Sequence, residues 1–285
     1  MACPTLIDPQ PLAALIEGGG VALFDCRFDL ADPGAGRARH AAGHIPGATY
    51  LHLDDDLSGR PSGSNGRHPL PDPEMFAARL AAAGVRQGQQ IVAYDDAGGA
   101  FAARLWWLVK WIGHEDVAVL DGGIQGWQQA GLALGQDTGS PPPPGDFGVG
   151  AMPGRGIVGA DDILRGLADS SLLVIDARSP ERFRGDPNPL DPVTGHIPGA
   201  RCHFYRDNLA ADGRFRDVAA LAADYAALIG DHPLDAVAVH CGSGVTAAHD
   251  LLAMEHAGLS GARLYPGSWS EWIADPSRPV ARGRT

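Results

Sequence analysis

The chain has 285 residues, of which 45% are hydrophobic, and it carries a formal net charge of −12 at pH 7. This length exceeds that of a typical single domain, so two domains are expected. The negative charge disfavours nucleic acid and anionic membranes as partners, and no apolar run approaches the roughly 20 residues that span a bilayer.

Strand-like and helix-like runs alternate along both halves of the chain. In the first half, the predicted strands are Val21–Asp25, Gln90–Tyr94 and Asp116–Leu120, and the predicted helices are Pro73–Ala83 and Ala100–Ile112. In the second half, the predicted strands are Leu172–Asp176, Ala236–His240 and Ala262–Tyr265, and the predicted helices are Val218–Ile229 and Val245–His256. This alternation predicts α/β domains, each a parallel sheet flanked by helices, with sites beyond the carboxyl ends of the strands.

Short motifs recur along the chain at a nearly constant offset. Gly-His-Ile-Pro-Gly-Ala begins at Gly43 and again at Gly195, and an aspartate-x-arginine strand end begins at Asp25 and again at Asp176. Such self-similarity is typical of a tandem duplication of one fold. We therefore expect an N-terminal domain over residues 1–136, a linker rich in proline and glycine over residues 137–156, and a catalytic domain over residues 157–285.

One cysteine stands where a reactive thiolate would be stabilised. Cys241 opens the small-residue loop Cys-Gly-Ser-Gly-Val-Thr between a predicted strand and a predicted helix. Backbone N–H groups of the loop and the positive end of the helix favour a thiolate there. Asp95 occupies the equivalent place in the first half and has no thiol, so the first domain is expected to be catalytically silent.

The other cysteines carry no such signal. The four cysteines lie far apart, without the paired spacing of a zinc site or a redox dithiol. They indicate a cytoplasmic location with reduced thiols and no bound metal. Cys26 and Cys202 lie in or beside apolar segments and are expected to be inert packing residues.

These motifs together resemble the tandem-domain rhodanese family of sulfurtransferases, over nearly the whole chain outside the linker and termini. The Gly-Ser-Gly-Val-Thr loop is similar to that of the 3-mercaptopyruvate sulfurtransferases, whereas thiosulfate-using members more often carry basic residues after the cysteine. The resemblance implies that a small-molecule donor gives a sulfane sulfur to Cys241. The resulting persulfide passes it to cyanide, a thiol or a thioredoxin-like acceptor, and no cofactor is needed. Thiosulfate remains the alternative donor, and a non-enzymatic persulfide carrier or binding module is a more distant alternative.

The resemblance also implies how the donor is held. The loop residues after the cysteine are expected to surround the transferred sulfur; they are Gly242, Gly244, Val245 and Thr246. Arg182, in an Arg-Phe-Arg-Gly run, matches a substrate-binding arginine, with Arg184 as a weaker neighbour. Many mercaptopyruvate enzymes carry a second arginine before the Gly-His-Ile-Pro-Gly motif, but residues 186–194 of this chain contain none. Arg178 has the counterpart Arg27 in the first half, so a structural role is preferred for it.

A proton relay is the remaining expectation. Asp56, His68 and Ser243 match an aspartate, a histidine and a loop serine of the mercaptopyruvate branch, with a one-residue shift in spacing. A histidine held by a carboxylate can polarise a serine and move protons. The alternative is a surface loop with incidental polar residues.

Two further sequence patterns, a repeated histidine and a His-Cys pair, are not assigned a role in the site. His44 and His196 precede Ile-Pro-Gly in both halves and are interpreted as turn residues. The His-Cys pair also fits the phosphatase pattern His-Cys-x5-Arg, but Ala247 stands at the arginine position. A phosphate would therefore lack its clamp, which disfavours a phosphatase.

Overall fold

The computed structural model describes residues 3–136, 143–151 and 156–283, and these residues form two compact units. The first unit comprises Met1–Gly59, Leu70–Pro153 and Ala211–Phe215; the second comprises Arg60–Pro69, Gly154–Ala210 and Arg216–Thr285. Neither unit is continuous in the chain, because each includes a short segment from the other half. The predicted linker lies partly outside the described residues, and the predicted boundaries at 136 and 157 stay a prediction.

The first unit is built on a five-stranded sheet with strand order β1-β5-β4-β2-β3, in which every pair is parallel. Its strands are β1 (Leu6–Ile7), β2 (Val21–Asp25), β3 (Thr49–Tyr50), β4 (Gln90–Tyr94) and β5 (Val117–Leu120). Its helices are α1 (Pro9–Glu17), α2 (Ala35–Ala42), α3 (Pro73–Ala82), α4 (Ala102–Trp111) and α5 (Gly123–Gln129).

The second unit repeats this arrangement with strand order β7-β6-β8-β9, again parallel throughout. Its strands are β6 (Leu173–Asp176), β7 (Arg201–Cys202), β8 (Val237–His240) and β9 (Arg263–Leu264). Its α-helices are α6 (Ala160–Asp169), α7 (Pro180–Arg184), α8 (Val218–Ile229), α9 (Thr246–His256) and α10 (Ser268–Trp272). Two 3₁₀ turns cover Tyr205–Asn208 and Leu234–Ala236. The predicted α/β class with two copies of a parallel sheet is confirmed.

The predicted elements form within two residues of where the sequence pattern places them, whereas helices α1, α2 and α6 were not predicted. The central strands β4 and β8 are buried at every position and apolar except at Gln90 and His240, as expected for strands covered on both faces. Helix α3 begins at Pro73, and the Asp72 carboxylate accepts the N–H of Met75; Asp217 caps α8 in the same way. The short segments β3, β7 and α10 were not predicted, because none of them contains an apolar run or a recognisable helical period.

The strand register shows which residues of the two units correspond. The pairs across the two central strands are Asp25 with Tyr94 and Asp176 with His240. In both units the next N–H along the first strand donates to the carbonyl of the second residue in the pair, at 2.8 Å. Asp95 and Cys241 are therefore structurally equivalent, each being the first residue after a central strand.

The duplicated Asp-x-Arg motif forms the same buried ion pair in both units. The shortest contact is 2.6 Å between arginine Nη2 and aspartate Oδ2, for Arg27 on Asp25 and for Arg178 on Asp176. Each arginine also donates to the carbonyl of the glycine that opens its Gly-His-Ile-Pro-Gly motif, at 2.7 and 2.8 Å. Burial acts to raise the pKa of Asp176, but the charges of Arg178 and His240 outweigh it and lower that pKa. This repeated geometry supports a structural role for both arginines.

Both hydrophobic cores contain the tryptophans. All six are buried: Trp106, Trp107, Trp111, Trp127, Trp269 and Trp272. None of the described helices has both the length and the apolar character that crossing a membrane requires.

Candidate active site

Cys241 lies at the carboxyl end of β8, and hydrogen bonds fix its backbone on both sides. Its N–H donates to Ser268 Oγ at 3.1 Å, and its carbonyl accepts the N–H of Trp269 at 3.0 Å. Its Sγ accepts the N–H of Gly244 at 3.2 Å, and the residue is only 2% exposed. Gly244 has a φ of +77°, and a Cβ there would clash with the carbonyl oxygen of Pro266. The loop thus presents backbone N–H to sulfur only because this position is glycine.

The equivalent loop of the first unit holds a carboxylate. Four backbone N–H groups donate to the two oxygens of Asp95 at 2.8 to 2.9 Å; they belong to Ala97, Gly99, Phe101 and Ala102. Asp95 is fully buried, so these hydrogen bonds balance the cost of burying its charge. The turn after a central strand of this fold is therefore an anion-binding nest, filled in the first unit by its own side chain.

Ser243 and His68 are in direct contact. His68 Nδ1 lies 2.7 Å from Ser243 Oγ, and both residues are 6% exposed. His68 belongs to the Arg60–Pro69 segment, which forms part of the second unit although it comes from the first half of the chain. Two of the predicted site residues are thus brought together two positions beyond Cys241, in a geometry that allows a proton to pass between them.

Asp56, the third predicted member of the relay, lies in the first unit. Its Oδ1 accepts from Arg79 Nε at 2.6 Å, and its Oδ2 accepts the N–H of His52 at 2.7 Å. Within its own unit the carboxylate is therefore bound at both oxygens. Its participation in the relay stays a prediction.

Arg182 lies at the site, and its guanidinium forms a bidentate hydrogen bond with a buried carboxylate. Nε and Nη2 of Arg182 donate to the two oxygens of Asp191, both at 2.7 Å. The Asp191 side chain is fully buried and also lies 3.5 Å from Arg178 Nη1. A Cβ at Gly242 would lie 2.8 Å from Arg182 Nη2, so the missing side chain of this glycine admits the guanidinium next to the cysteine.

A second guanidinium reaches the same glycine, and the sequence analysis missed it. Arg67 Nη2 lies 2.9 Å from the position of a Cβ at Gly242, and Arg67 Nη1 lies 3.9 Å from Asp191 Oδ1. The available signal was its position directly before His68, a predicted site residue. Asp191 was missed because residues 186–194 were searched only for an arginine.

The remaining predicted residues differ in what surrounds them. Val245 and Thr246 lie at the start of α9, directly after the loop. Arg184 Nη2 pairs instead with acidic neighbours, at 2.9 Å from Asp186 and 3.6 Å from Glu181. A donor-binding role for Arg184 therefore has no geometric support beyond its place beside Arg182, and it stays a prediction.

Two cysteines outside the site have environments that disfavour a thiolate. Burial raises the pKa of Cys26 well above its usual value, and the charge of Asp25 adds to this effect. Burial likewise raises the pKa of Cys202 to about 12. Both thiols stay protonated near neutral pH, in line with the inert role expected of them.

The turn after β8 thus combines a cysteine, an N–H donor aimed at its sulfur, a serine–histidine pair and two guanidinium groups. This set suits a nucleophilic sulfur that attacks an anionic substrate and carries negative charge afterwards. Within residues 3–136, 143–151 and 156–283, no group of three or more histidine, cysteine, aspartate or glutamate side chains is arranged to hold a metal ion.

Comparison with known proteins identifies the family. The model of the rhodanese-like domain matches residues 8–130 and 159–275. A Pseudomonas aeruginosa protein named as a probable 3-mercaptopyruvate sulfurtransferase is 47% identical over 285 residues, which cover 99% of this chain and 100% of that protein. A Mycobacterium tuberculosis protein, provisionally named as a thiosulfate sulfurtransferase, is 40% identical and covers 98% of this chain and 97% of its own length.

A solved structure agrees with these relatives. The crystal structure of the 3-mercaptopyruvate sulfotransferase SseA from Escherichia coli is 31% identical, with a TM-score of 0.79 over 93% of this chain and 98% of that chain. The predicted family and enzyme class are confirmed. The chain belongs to the rhodanese family and is one of its two-domain sulfurtransferases.

Proposed function

We propose that this enzyme takes its sulfur from 3-mercaptopyruvate and carries it as a persulfide on Cys241. The observation that carries the proposal is the turn after β8, where the Gly244 N–H donates to Cys241 Sγ and two guanidinium groups meet over Gly242. An anionic donor is drawn to the guanidinium groups, and its sulfur then lies beside the nucleophile. The names of the Pseudomonas and Escherichia coli relatives support this donor.

The first half-reaction follows from these groups. The Cys241 thiolate attacks the donor sulfur, an S–S bond forms, and the C–S bond breaks with its electron pair leaving as the enolate of pyruvate. The donor thiol proton moves to the enolate carbon, which gives pyruvate and the persulfide anion. Loop N–H groups stabilise the anionic outer sulfur, as an oxyanion hole stabilises oxygen.

Ser243 and His68 supply the path for that proton. Their 2.7 Å hydrogen bond lets the serine hydroxyl exchange a proton with the imidazole while the thiol and the enolate change charge. Asp56 would complete this relay by holding the histidine, as the resemblance to the mercaptopyruvate branch implies. Thiosulfate has no proton to relocate, so the serine–histidine pair favours 3-mercaptopyruvate.

Thiosulfate is the second candidate donor. The guanidinium groups suit a thiosulfonate as well as a carboxylate, and the Mycobacterium tuberculosis relative carries a thiosulfate name. In that case sulfite leaves in place of pyruvate. The outer sulfur of a persulfide is removed by a nucleophile, so the proposed acceptor is cyanide in vitro and a cytoplasmic thiol or thioredoxin-like dithiol in the cell.

The first unit is proposed to be catalytically silent. Asp95 stands at the place of Cys241, and its own carboxylate fills the anion nest. A nest already filled by a fixed anion has no room for a donor sulfur.

The test is kcat/KM for both donors, with cyanide as the acceptor. We expect the wild type to prefer 3-mercaptopyruvate and Cys241→Ser to lose turnover with either donor, because serine is a poor nucleophile at sulfur and forms no persulfide. Cys202→Ser is the matched control and should keep its activity. A wild-type preference for thiosulfate would overturn the donor, and turnover by Cys241→Ser equal to wild type would overturn the persulfide.

A further inference from the structure

Two guanidinium groups flank the residue that follows the nucleophile. A Cβ at Gly242 would lie 2.8 Å from Arg182 Nη2 and 2.9 Å from Arg67 Nη2. Both arginine side chains are partly accessible, with 20% of Arg182 and 35% of Arg67 exposed. Each can therefore meet a small anion while remaining part of the site.

Asp191 links these two side chains. Its buried carboxylate accepts both hydrogen bonds of the Arg182 fork at 2.7 Å and lies 3.9 Å from Arg67 Nη1. Asn188 Oδ1 in turn accepts the N–H of Asp191, which fixes the turn that carries it. Asp191 therefore holds like charges close together without occupying the face toward Gly242.

Arg67 is also fixed by its backbone and by one end of its fork. Its N–H donates to Ser270 Oγ at 3.0 Å, and its Nη1 donates to the carbonyl of Leu190 at 3.0 Å. Gly66 before it has a φ of +87° and lies in close contact with Gly267. These contacts leave Nη2 as the end of the guanidinium nearest Gly242, a pre-ordered donor rather than a mobile surface charge.

The electrostatics of Arg67 favour an anionic partner. Burial lowers the pKa of Arg67, and the charges of Arg182 and Arg178 lower it further, while Asp191 acts in the opposite direction. A guanidinium kept near like charges gains more from a bound anion than an isolated surface arginine does.

We propose that Arg67 binds the carboxylate of the sulfur donor together with Arg182, and that Asp191 positions both guanidinium groups. The identification of the anion as a carboxylate rests on the proposed function. Arg67 then supplies the second guanidinium that residues 186–194 lack. That arginine comes from the Arg60–Pro69 segment, and the stretch 186–194 contributes instead the acid that orients it.

The first experiment measures anion recruitment without using a sulfur donor. The rates at which iodoacetate and its neutral analogue iodoacetamide alkylate the Cys241 peptide are compared by mass spectrometry. A change in thiolate fraction affects both reagents equally, so their rate ratio isolates the attraction of the carboxylate. We expect Arg67→Ala to lower this ratio roughly tenfold, since a charge-assisted hydrogen bond contributes on that scale.

Two further variants make the result specific. Arg67→Lys keeps the charge but loses the planar fork, so its ratio should fall between those of wild type and Arg67→Ala. Arg165→Ala removes the same charge from an exposed helix position, where 70% of the side chain is accessible, and should keep the wild-type ratio. A wild-type ratio in Arg67→Ala, or an equal fall in Arg165→Ala, would overturn the proposal. If Arg67→Ala fails to fold, an unchanged ratio in Arg67→Lys would do so.

Steady-state kinetics separates this inference from the choice of donor. With 3-mercaptopyruvate, Arg67→Ala should raise KM by roughly tenfold or more and change kcat less, because Arg67 binds the donor away from the bond that breaks. If wild type prefers thiosulfate while the alkylation ratio still falls, the donor is wrong and the anion-binding role of Arg67 stands. If wild type prefers 3-mercaptopyruvate and the ratio does not change, the donor stands and the role of Arg67 fails.

Discussion

Two glycines of the catalytic turn are needed for different physical reasons. Gly244 needs its positive φ of +77° and the absence of a side chain against Pro266, so it is required by the backbone itself. Gly242 does not have a positive φ, and the atoms that approach it are the guanidinium ends of two arginine side chains rather than backbone. One glycine therefore shapes the loop, and the other makes room for the groups that bind the donor.

This difference predicts that an added methyl group affects catalysis at Gly242 and stability at Gly244. Gly242→Ala should leave the free energy of unfolding within about 1 kcal/mol of wild type but lower kcat/KM roughly tenfold, because the methyl group shifts the two guanidinium ends and leaves the backbone in place. Gly244→Ala should lower the free energy of unfolding by about 1–3 kcal/mol, because the strain lies in the backbone. Urea unfolding and donor kinetics on both variants check this, and unchanged kinetics in Gly242→Ala would contradict it.

The sequence predicts residues that act through their own chemistry better than residues that act through placement. Cys241 and Ser243 lie in one short loop whose composition indicates an anionic sulfur, and His68 is implied by the family resemblance. Arg67 and Asp191 lie 124 positions apart in the chain. Neither can be recognised as a site residue from the sequence, because only folding brings their side chains within 3.9 Å of each other. A long-range contact of this kind leaves no periodic trace in a single sequence.

At the scale of elements, the turn between each central strand and the following helix has the same function in both units, which is to bind an anionic group. In the second unit it directs an N–H group to a sulfur, and in the first unit it directs four N–H groups to the Asp95 carboxylate. The strand before and the helix after each turn were predicted to within two residues, because each contains a run of apolar residues. The sequence indicates an anion in the second turn, but the four hydrogen bonds to Asp95 in the first turn are seen only in the structure, because a single aspartate after a strand carries no such signal.

Removing the carboxylate from the first turn should destabilise the protein without stopping the reaction. Asp95→Ala leaves four N–H groups without their acceptor, two of them buried and two part-buried, so we expect the free energy of unfolding to fall by roughly 3–5 kcal/mol. The neighbouring Asp96→Ala breaks only a part-exposed pair with Arg39 and should cost about 1 kcal/mol or less. Sulfur transfer by folded Asp95→Ala should persist. Loss of turnover in the folded variant would contradict a silent first unit.

At the scale of the whole molecule, the duplication repeats a buried ion pair as well as a fold. Asp25 and Asp176 are both fully buried and each binds the arginine two residues later. Burial acts to raise both pKa values, but the paired arginine and a nearby histidine lower them below the usual value. Each carboxylate therefore contributes stability above its unfolded pKa of about 4, which is lost as the pH falls through the lower folded value.

Acid unfolding should depend on both pairs. Asp25→Asn and Asp176→Asn should each lower the free energy of unfolding at pH 7 by roughly 3–5 kcal/mol, because each removes the charge of the carboxylate nearest to a buried arginine. The difference from wild type should shrink as the pH falls below about 4, because the unfolded wild-type chain then binds protons that the folded carboxylates, with their lower pKa values, do not yet bind. Asp231→Asn, at an exposed position, is the control. Urea unfolding at several pH values tests this, and an equal loss at pH 3 and pH 7 would contradict it.

The discontinuous second unit has a consequence for how the protein is made. Residues 60–69 emerge early during synthesis, but Ser243 and Ser270, which bind His68 and Arg67, follow 175 and 203 residues later. The first unit likewise depends on a segment that is synthesised late, because the N–H of Phe215 donates to the Asp121 carboxylate at 2.8 Å. Domains usually fold in the order in which they leave the ribosome. Here neither unit can finish until most of the chain has been translated, so we expect both to complete folding late.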